Sequence, residues 1–246
     1  MSRDRKKKRN QQSSNLEPIQ NEIITHDNPA PHTKKSVRII PKNERQEEYL
    51  EQLMDPKRKL IVVSGPAGTG KTYLAMLAGI KSLQAGQVKK IVLSRPAVGA
   101  DDESHGFLPG TLFDKMEPWV MPLMDVLIDY YSAKELACMI ENKVICIEPL
   151  MYLRGRNIEN AWVVFDEAQN SSKNQMLMLL TRMCEGSKII VTGDPKQKDK
   201  KFFVDNGLDD LIEKLKKNPT NMFGYIEFEK NHIERSELVK LILSMY

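Results

Sequence analysis

The 246-residue chain predicts an α/β fold: one domain with a mostly parallel sheet and helices on both faces. Three observations predict it. Short apolar runs alternate with helix-spaced stretches along the chain. Most of those runs are continuous rather than alternating, as strands buried on both faces require. The first run leads into a glycine-rich turn, "GPAGTGKT" (65–72), and then into a helical stretch, the strand–loop–helix order of a phosphate-binding loop.

Taken in order, residues 1–36 are polar and charged with little apolar periodicity. They predict a disordered basic leader, with the folded domain over 37–246. A helix is expected over 43–54, followed by a strand at 60–64, "LIVVS". Helix 71–84 opens at the Lys-Thr pair of the glycine-rich turn. Strand 90–94, "KIVLS", comes next, then a long helical stretch over 115–141 that is a candidate for a break. Strands follow at 144–149 and 162–166, and a helix at 172–184. The last strands are 188–193 and 225–229, with helices at 207–217 and 235–245. No internal repeat interrupts this order.

Composition narrows the function classes. Apolar residues make up 41% and charged residues 28%, ordinary for a globular chain. No apolar run approaches the ~18 residues that cross a bilayer. The basic N-terminus runs into polar sequence, which excludes a secretory signal. Cys138, Cys146 and Cys184 lack C-x-x-C spacing, so buried, unpaired thiols in a cytoplasmic protein are expected. The first ten residues carry six cations and one anion, a net of +5, so within the total of +4 the other 236 residues hold −1. The basic character therefore lies in the tail. Such an arm can bind phosphate backbones or stay a solvated tail.

Three strand ends carry the chemistry. In the first, Gly65, Gly68 and Gly70 let backbone N–H groups curl around phosphate oxygens, Pro66, Ala67 and Thr69 complete the nucleotide-binding loop, and the next helix adds its positive dipole end. Lys71 can reach the β- and γ-phosphates, the Thr72 hydroxyl can ligate Mg²⁺, and Tyr73 follows on the same turn. The second is "WVVFDEAQN" (162–170), where Asp166 is placed for the magnesium shell and Glu167 to orient and polarise water. A paired acid directly after the strand favours hydrolysis over phosphoryl transfer to a hydroxyl. The third is "VTGDPKQ" (191–197), whose Asp194 and Gln197 are spaced to bring Gln197 to the γ-phosphate. An ordinary Asp-Pro turn is the alternative there. ATP and Mg²⁺ are the expected ligands.

In this order "GPAGTGKT", "DEAQ" and "GDPKQ" resemble the nucleotide core of superfamily 1 helicases. With "SRPAVGADDESHGFLPGTLFDKMEPWVMPLMDVL" (94–127) and "PLMYLRGR" (149–156), the chain from about residue 41 onward resembles the PhoH family of P-loop ATPases. The resemblance implies a single RecA-like P-loop NTPase domain in the short form of the family, a form that would suit a phage-encoded copy in a host cytoplasm. It assigns adenine reading to Gln46, the alternative being an exposed helical Gln. It places Arg95 beside bound nucleic acid. It matches Arg235 to a family Arg near the C-terminus, where His232 stands at a position usually acidic. Arg154, Arg156 and Arg182 are the other candidates for transition-state stabilisation. Asp101, Asp102 and Glu103 argue for a subunit contact as much as a phosphate grip in loop 97–110. His105 reads as a loop residue and Trp119 as packing.

A two-domain helicase donates an arginine from its second core domain. With one core domain, an Arg from a second subunit is expected, in a head-to-tail ring. The resemblance favours a hexamer. The leading function is an ATPase coupled to binding or unwinding of single-stranded nucleic acid, RNA favoured. The alternative is a nucleotide-dependent switch acting on a protein partner.

Overall fold

The computed structural model describes residues 35–96, 121–199, 204–235, 237–239 and 245. Loop 97–110, His105, Trp119 and most of the 1–36 leader lie outside them. Lys34–Tyr246 forms one compact unit. Six strands make one sheet: β1 Leu60–Ser64, β2 Lys90–Ser94, β3 Ile145–Ile147, β4 Ala161–Phe165, β5 Lys188–Gly193 and β6 Phe223–Glu227. Their order is β3-β2-β4-β5-β1-β6, and every pairing is parallel. β5 is thus inserted between the glycine-loop strand β1 and the acidic strand β4, the arrangement of the RecA-like P-loop fold. Three carboxyl ends become neighbours at one edge of the sheet, where α/β ligands bind.

β1, β4 and β5 are buried throughout, whereas the edge strands β3 and β6 are partly exposed. One apolar layer lies under α1 (Glu44–Met54), α2 (Lys71–Gln84), α3 (121–128) and α4 (Ala133–Glu141). The other lies under α5 (Lys173–Leu180) and α6 (Gly207–Lys217). Among the described residues no helix is long and apolar enough to cross a membrane.

Several boundaries differ from the sequence reading, each for a local reason. The 115–141 stretch breaks, and the Ser132 hydroxyl with the Glu135 carboxylate forms a capping box that starts α4 anew. Strand 144–149 shortens to 145–147, because Pro149 opens a 3₁₀ turn, Leu150–Leu153. Helix 172–184 stops at Leu180, ahead of an isolated parallel bridge between Ile158 and Met183. β6 begins two residues earlier than its apolar run suggests, at Phe223 opposite Leu60. Gly224 accounts for this: a Cβ there would lie 2.3 Å from Gln52 Oε1 of α1. Within the last helical stretch, 237–239 and 245 are helical among the described residues. The three thiols are free, but none is fully buried: Cys138 is exposed, and Cys146 and Cys184 are half-buried.

Candidate active site

The glycine loop leaves β1 with Gly65, Gly68 and Gly70 at φ of 136°, 85° and 82°, conformations that side chains resist. Close packing reinforces the requirement. A Cβ on Gly65 would sit 2.4 Å from the Phe228 carbonyl, and one on Gly68 2.9 Å from Arg235 Nε. Lys71 is buried, and its Nζ donates to the carbonyls of Gly65 and Pro66 at 2.7 Å each. Burial pushes the Lys71 amine below its ordinary range, while Asp194, Asp166 and Glu167 pull it back up. The loop thus carries a desolvated cation facing three carboxylates, the environment a polyphosphate with its metal would meet.

Thr72 and Asp166 come together across the sheet, with the Thr72 hydroxyl donating to Asp166 Oδ1 at 2.9 Å. Thr192, on the intervening β5, donates to the same oxygen at 2.5 Å. These hard oxygen donors fit Mg²⁺, which takes one or two protein ligands and fills its shell with phosphates and water. Among the described residues no cluster of three or more His, Cys, Asp or Glu offers an all-protein metal site.

Glu167 stands in the left-handed region at φ 53°, a strained setting for a side-chain-bearing residue. Gln169, buried in the same "DEAQ" segment, donates to Glu167 Oε2 at 2.5 Å and accepts from the Asp194 amide at 3.1 Å. The Asn206 amide donates to the Gln169 carbonyl at 2.6 Å. On the other side Arg95 Nη2 lies 3.8 Å from Glu167 Oε1. The Asp194 carbonyl accepts from the Gln197 amide at 2.9 Å, closing the turn that presents Gln197.

Arg235 lies on its own chain's glycine loop. The Glu234 amide donates to the Gly68 carbonyl at 2.9 Å, and Asn43 Nδ2 donates to Glu234 Oε1 at 2.8 Å. Asn43 also caps α1 by accepting from the Gln46 amide, so one side chain ties α1 to the C-terminal segment. The His232 Nδ1 accepts from the Glu229 amide and its ring packs edge-on to Phe228.

A single cavity of about 400 Å³ is lined by Gly68, Gly70, Lys71, Thr72, Tyr73, Arg95, Asp166, Glu167, Asp194, Gln197 and Arg235. Ala67 lines it too, and Pro122, Leu123 and Val126 bring α3 to one wall. Gln46 lies beneath the loop rather than on the cavity wall. It is buried, with Oε1 accepting from the Lys42 amide and Nε2 donating to the Thr69 carbonyl. Arg154, Arg156 and Arg182 do not line the cavity of their own chain. Sequence reasoning missed Thr192, Gln169 and Asn206. The available signal was polarity: Thr192 interrupts the apolar strand "KIIVTG" at its carboxyl end, and Gln169 belongs to a quoted motif.

A sequence profile described as PhoH-like protein matches residues 38–246. The chain is 42% identical over 212 residues to a PhoH-like protein of Bacillus subtilis, covering 86% of this chain and 64% of that one. It is 36% identical over 210 residues to Protein PhoH of Escherichia coli, covering 85% and 58%. The chain therefore spans about three fifths of the length of these curated relatives. A crystal structure of Pif1 helicase from Candida albicans is similar at a TM-score of 0.42 and 17% identity, covering 84% of this chain and 43% of that chain. That likeness is too low to bear on function. With a P-loop on a six-stranded parallel sheet and a profile match over 38–246, the chain belongs to the PhoH family.

Proposed function

We propose that the chain is a Mg²⁺-dependent ATPase whose turnover is coupled to single-stranded nucleic acid, RNA favoured. One observation carries the hydrolytic reading: Lys71, Thr72, Asp166, Glu167, Gln197 and Arg235 converge on one cavity at the carboxyl edge of the sheet. The loop amides and Lys71 hold the phosphates. Thr72 and Asp166 would hold Mg²⁺, which when bound neutralises charge on the β- and γ-oxygens. The Glu167 carboxylate accepts a proton as a water oxygen attacks the γ-phosphorus. The bond to the β–γ bridging oxygen breaks, and ADP and phosphate leave. Arg235 and Gln197 meet the charge that develops on the γ-phosphoryl group. Gln46 holds the loop from below, and its remaining amide N–H and lone pair are what it offers an adenine edge.

Arg95 supports the coupling to nucleic acid, since it shares the cavity and pairs loosely with Glu167. A homo-oligomeric ring of six subunits follows from the family resemblance. Arg235 already rests on its own loop, so a ring is not needed to supply that arginine. The test is ATP turnover measured with and without single-stranded RNA and DNA at low and moderate salt. Several-fold stimulation is expected. Turnover indifferent to both polymers would favour a nucleotide switch acting on a protein partner, and no turnover at all would overturn the hydrolytic reading.

A further inference from the structure

Beside the cavity, the 3₁₀ turn Leu150–Leu153 has an unusual surface. Three residues per turn align positions i and i+3. Leu150 and Leu153 therefore both enter the core, each 2% exposed. Met151 and Tyr152 are forced outward, 65% and 49% exposed, although nothing in the turn requires large side chains there. Arg154 follows directly and is exposed, and its guanidinium has no hydrogen bond or ion pair among the described residues. Arg156 is paired with Glu148 at 2.6 Å, so Arg154 carries the uncompensated charge. The turn hangs from the nucleotide site: the Leu150 amide donates to the Arg95 carbonyl at 3.2 Å.

We infer that Tyr152 and Arg154, on the turn hydrogen-bonded to Arg95, form with Arg95 the platform on which single-stranded nucleic acid lies. This rests on the nucleic-acid reading above and gives it a location. An exposed aromatic beside arginines is the chemistry of sequence-tolerant strand binding: a base stacks on the ring and cations follow the backbone. Arg95 belongs to both sites. A backbone phosphate competes with the Glu167 carboxylate for its guanidinium, and a 3.8 Å contact between two part-exposed groups yields readily to such a competitor. Occupancy of the platform is thereby felt at the residue that activates water.

Fluorescence anisotropy with short labelled oligo(U) and oligo(dT) tests this on the full chain. Tyr152→Ala should weaken binding about tenfold, and Tyr152→Phe should restore it. ATP turnover without nucleic acid should be unchanged in Tyr152→Ala. Arg154→Ala should lower the log–log salt slope by about 0.7. Wild type binding with both alanine variants unaltered would place the strand elsewhere and leave the proposed function standing. Wild type failing to bind either polymer would overturn platform and coupling together. Smaller sedimenting species for Tyr152→Ala, with strand binding intact, would make this face a contact between copies and likewise overturn the platform.

Discussion

Lys71 and Arg235 line the same cavity from opposite supports, one on the helix after the loop and one packed over Gly68. Lys71→Ala should lose nucleotide binding or turnover, read by ATP titration and steady-state hydrolysis. Arg235→Ala should bind ATP and lose at least ~10³ in turnover, the scale of a missing arginine finger. Thr192 acts one step back. Its hydroxyl donates to the Asp166 oxygen that also receives Thr72, so Thr192→Val keeps shape and removes that bond, with a longer one to the Phe165 carbonyl. The Mg²⁺ concentration for half-maximal turnover should rise about tenfold, with much of the activity recovered at saturating metal. The residues that line the cavity were legible because the spacing of a phosphate-loop motif is dictated by phosphate geometry. Thr192 and Asn206 were not, because they act on the Asp166 carboxylate and the Gln169 carbonyl and are brought in by tertiary structure, which local sequence does not encode. The place of Arg235 in its own chain also depends on the distant Asn43–Glu234 contact.

Among the elements, α2 shows why a glycine in mid-helix can be indispensable. Gly79 faces Trp162 of β4, and a Cβ would lie 2.6 Å from the indole Cδ1. The indole Nε1 donates to the Ala75 carbonyl at 3.0 Å, fixing the ring. Alanine would ordinarily add up to ~1 kcal/mol of helix propensity. Here overpacking of about 1–3 kcal/mol should win, giving a net loss of stability in urea unfolding of Gly79→Ala. At the other end of α1, the buried Lys188 ammonium donates to the carbonyls of Leu53 and Asp55. Burial, then the neighbouring Lys59, lowers its pKa to about 8. Between that value and the unfolded one near 10.5, the unfolded chain binds more protons. Stability should therefore rise with pH across that window, by at most ~1.4 kcal/mol per pH unit from this group, and Lys188→Met should lack the rise. The buried central strands were read correctly from continuous apolar runs. β6 was misplaced because Gly224 broke its run, and glycine there answers to α1 rather than to the strand.

At the level of the whole molecule, β5 between β1 and β4 gathers a glycine loop, two acids and the Asp194–Gln197 turn along one edge. The C-terminal segment then returns over the loop to add Arg235. The groups to which we assign the hydrolytic roles thus all line one cavity of a single chain. Mixing Arg235→Ala with Lys71→Ala subunits should restore no turnover, since each chain uses its own pair. Recovery in the mixture would assign the arginine to a neighbour. The fold class was legible because alternation and buried runs constrain it strongly, while the in-chain arginine needed the three-dimensional return of the tail. The central claim is that Glu167 activates water within this site. Its most direct test is Glu167→Gln, with ATP affinity and single-turnover hydrolysis measured in Mg²⁺. Affinity close to wild type with hydrolysis lowered by about 10²–10⁴ is the predicted result. Hydrolysis close to the wild-type rate would contradict it.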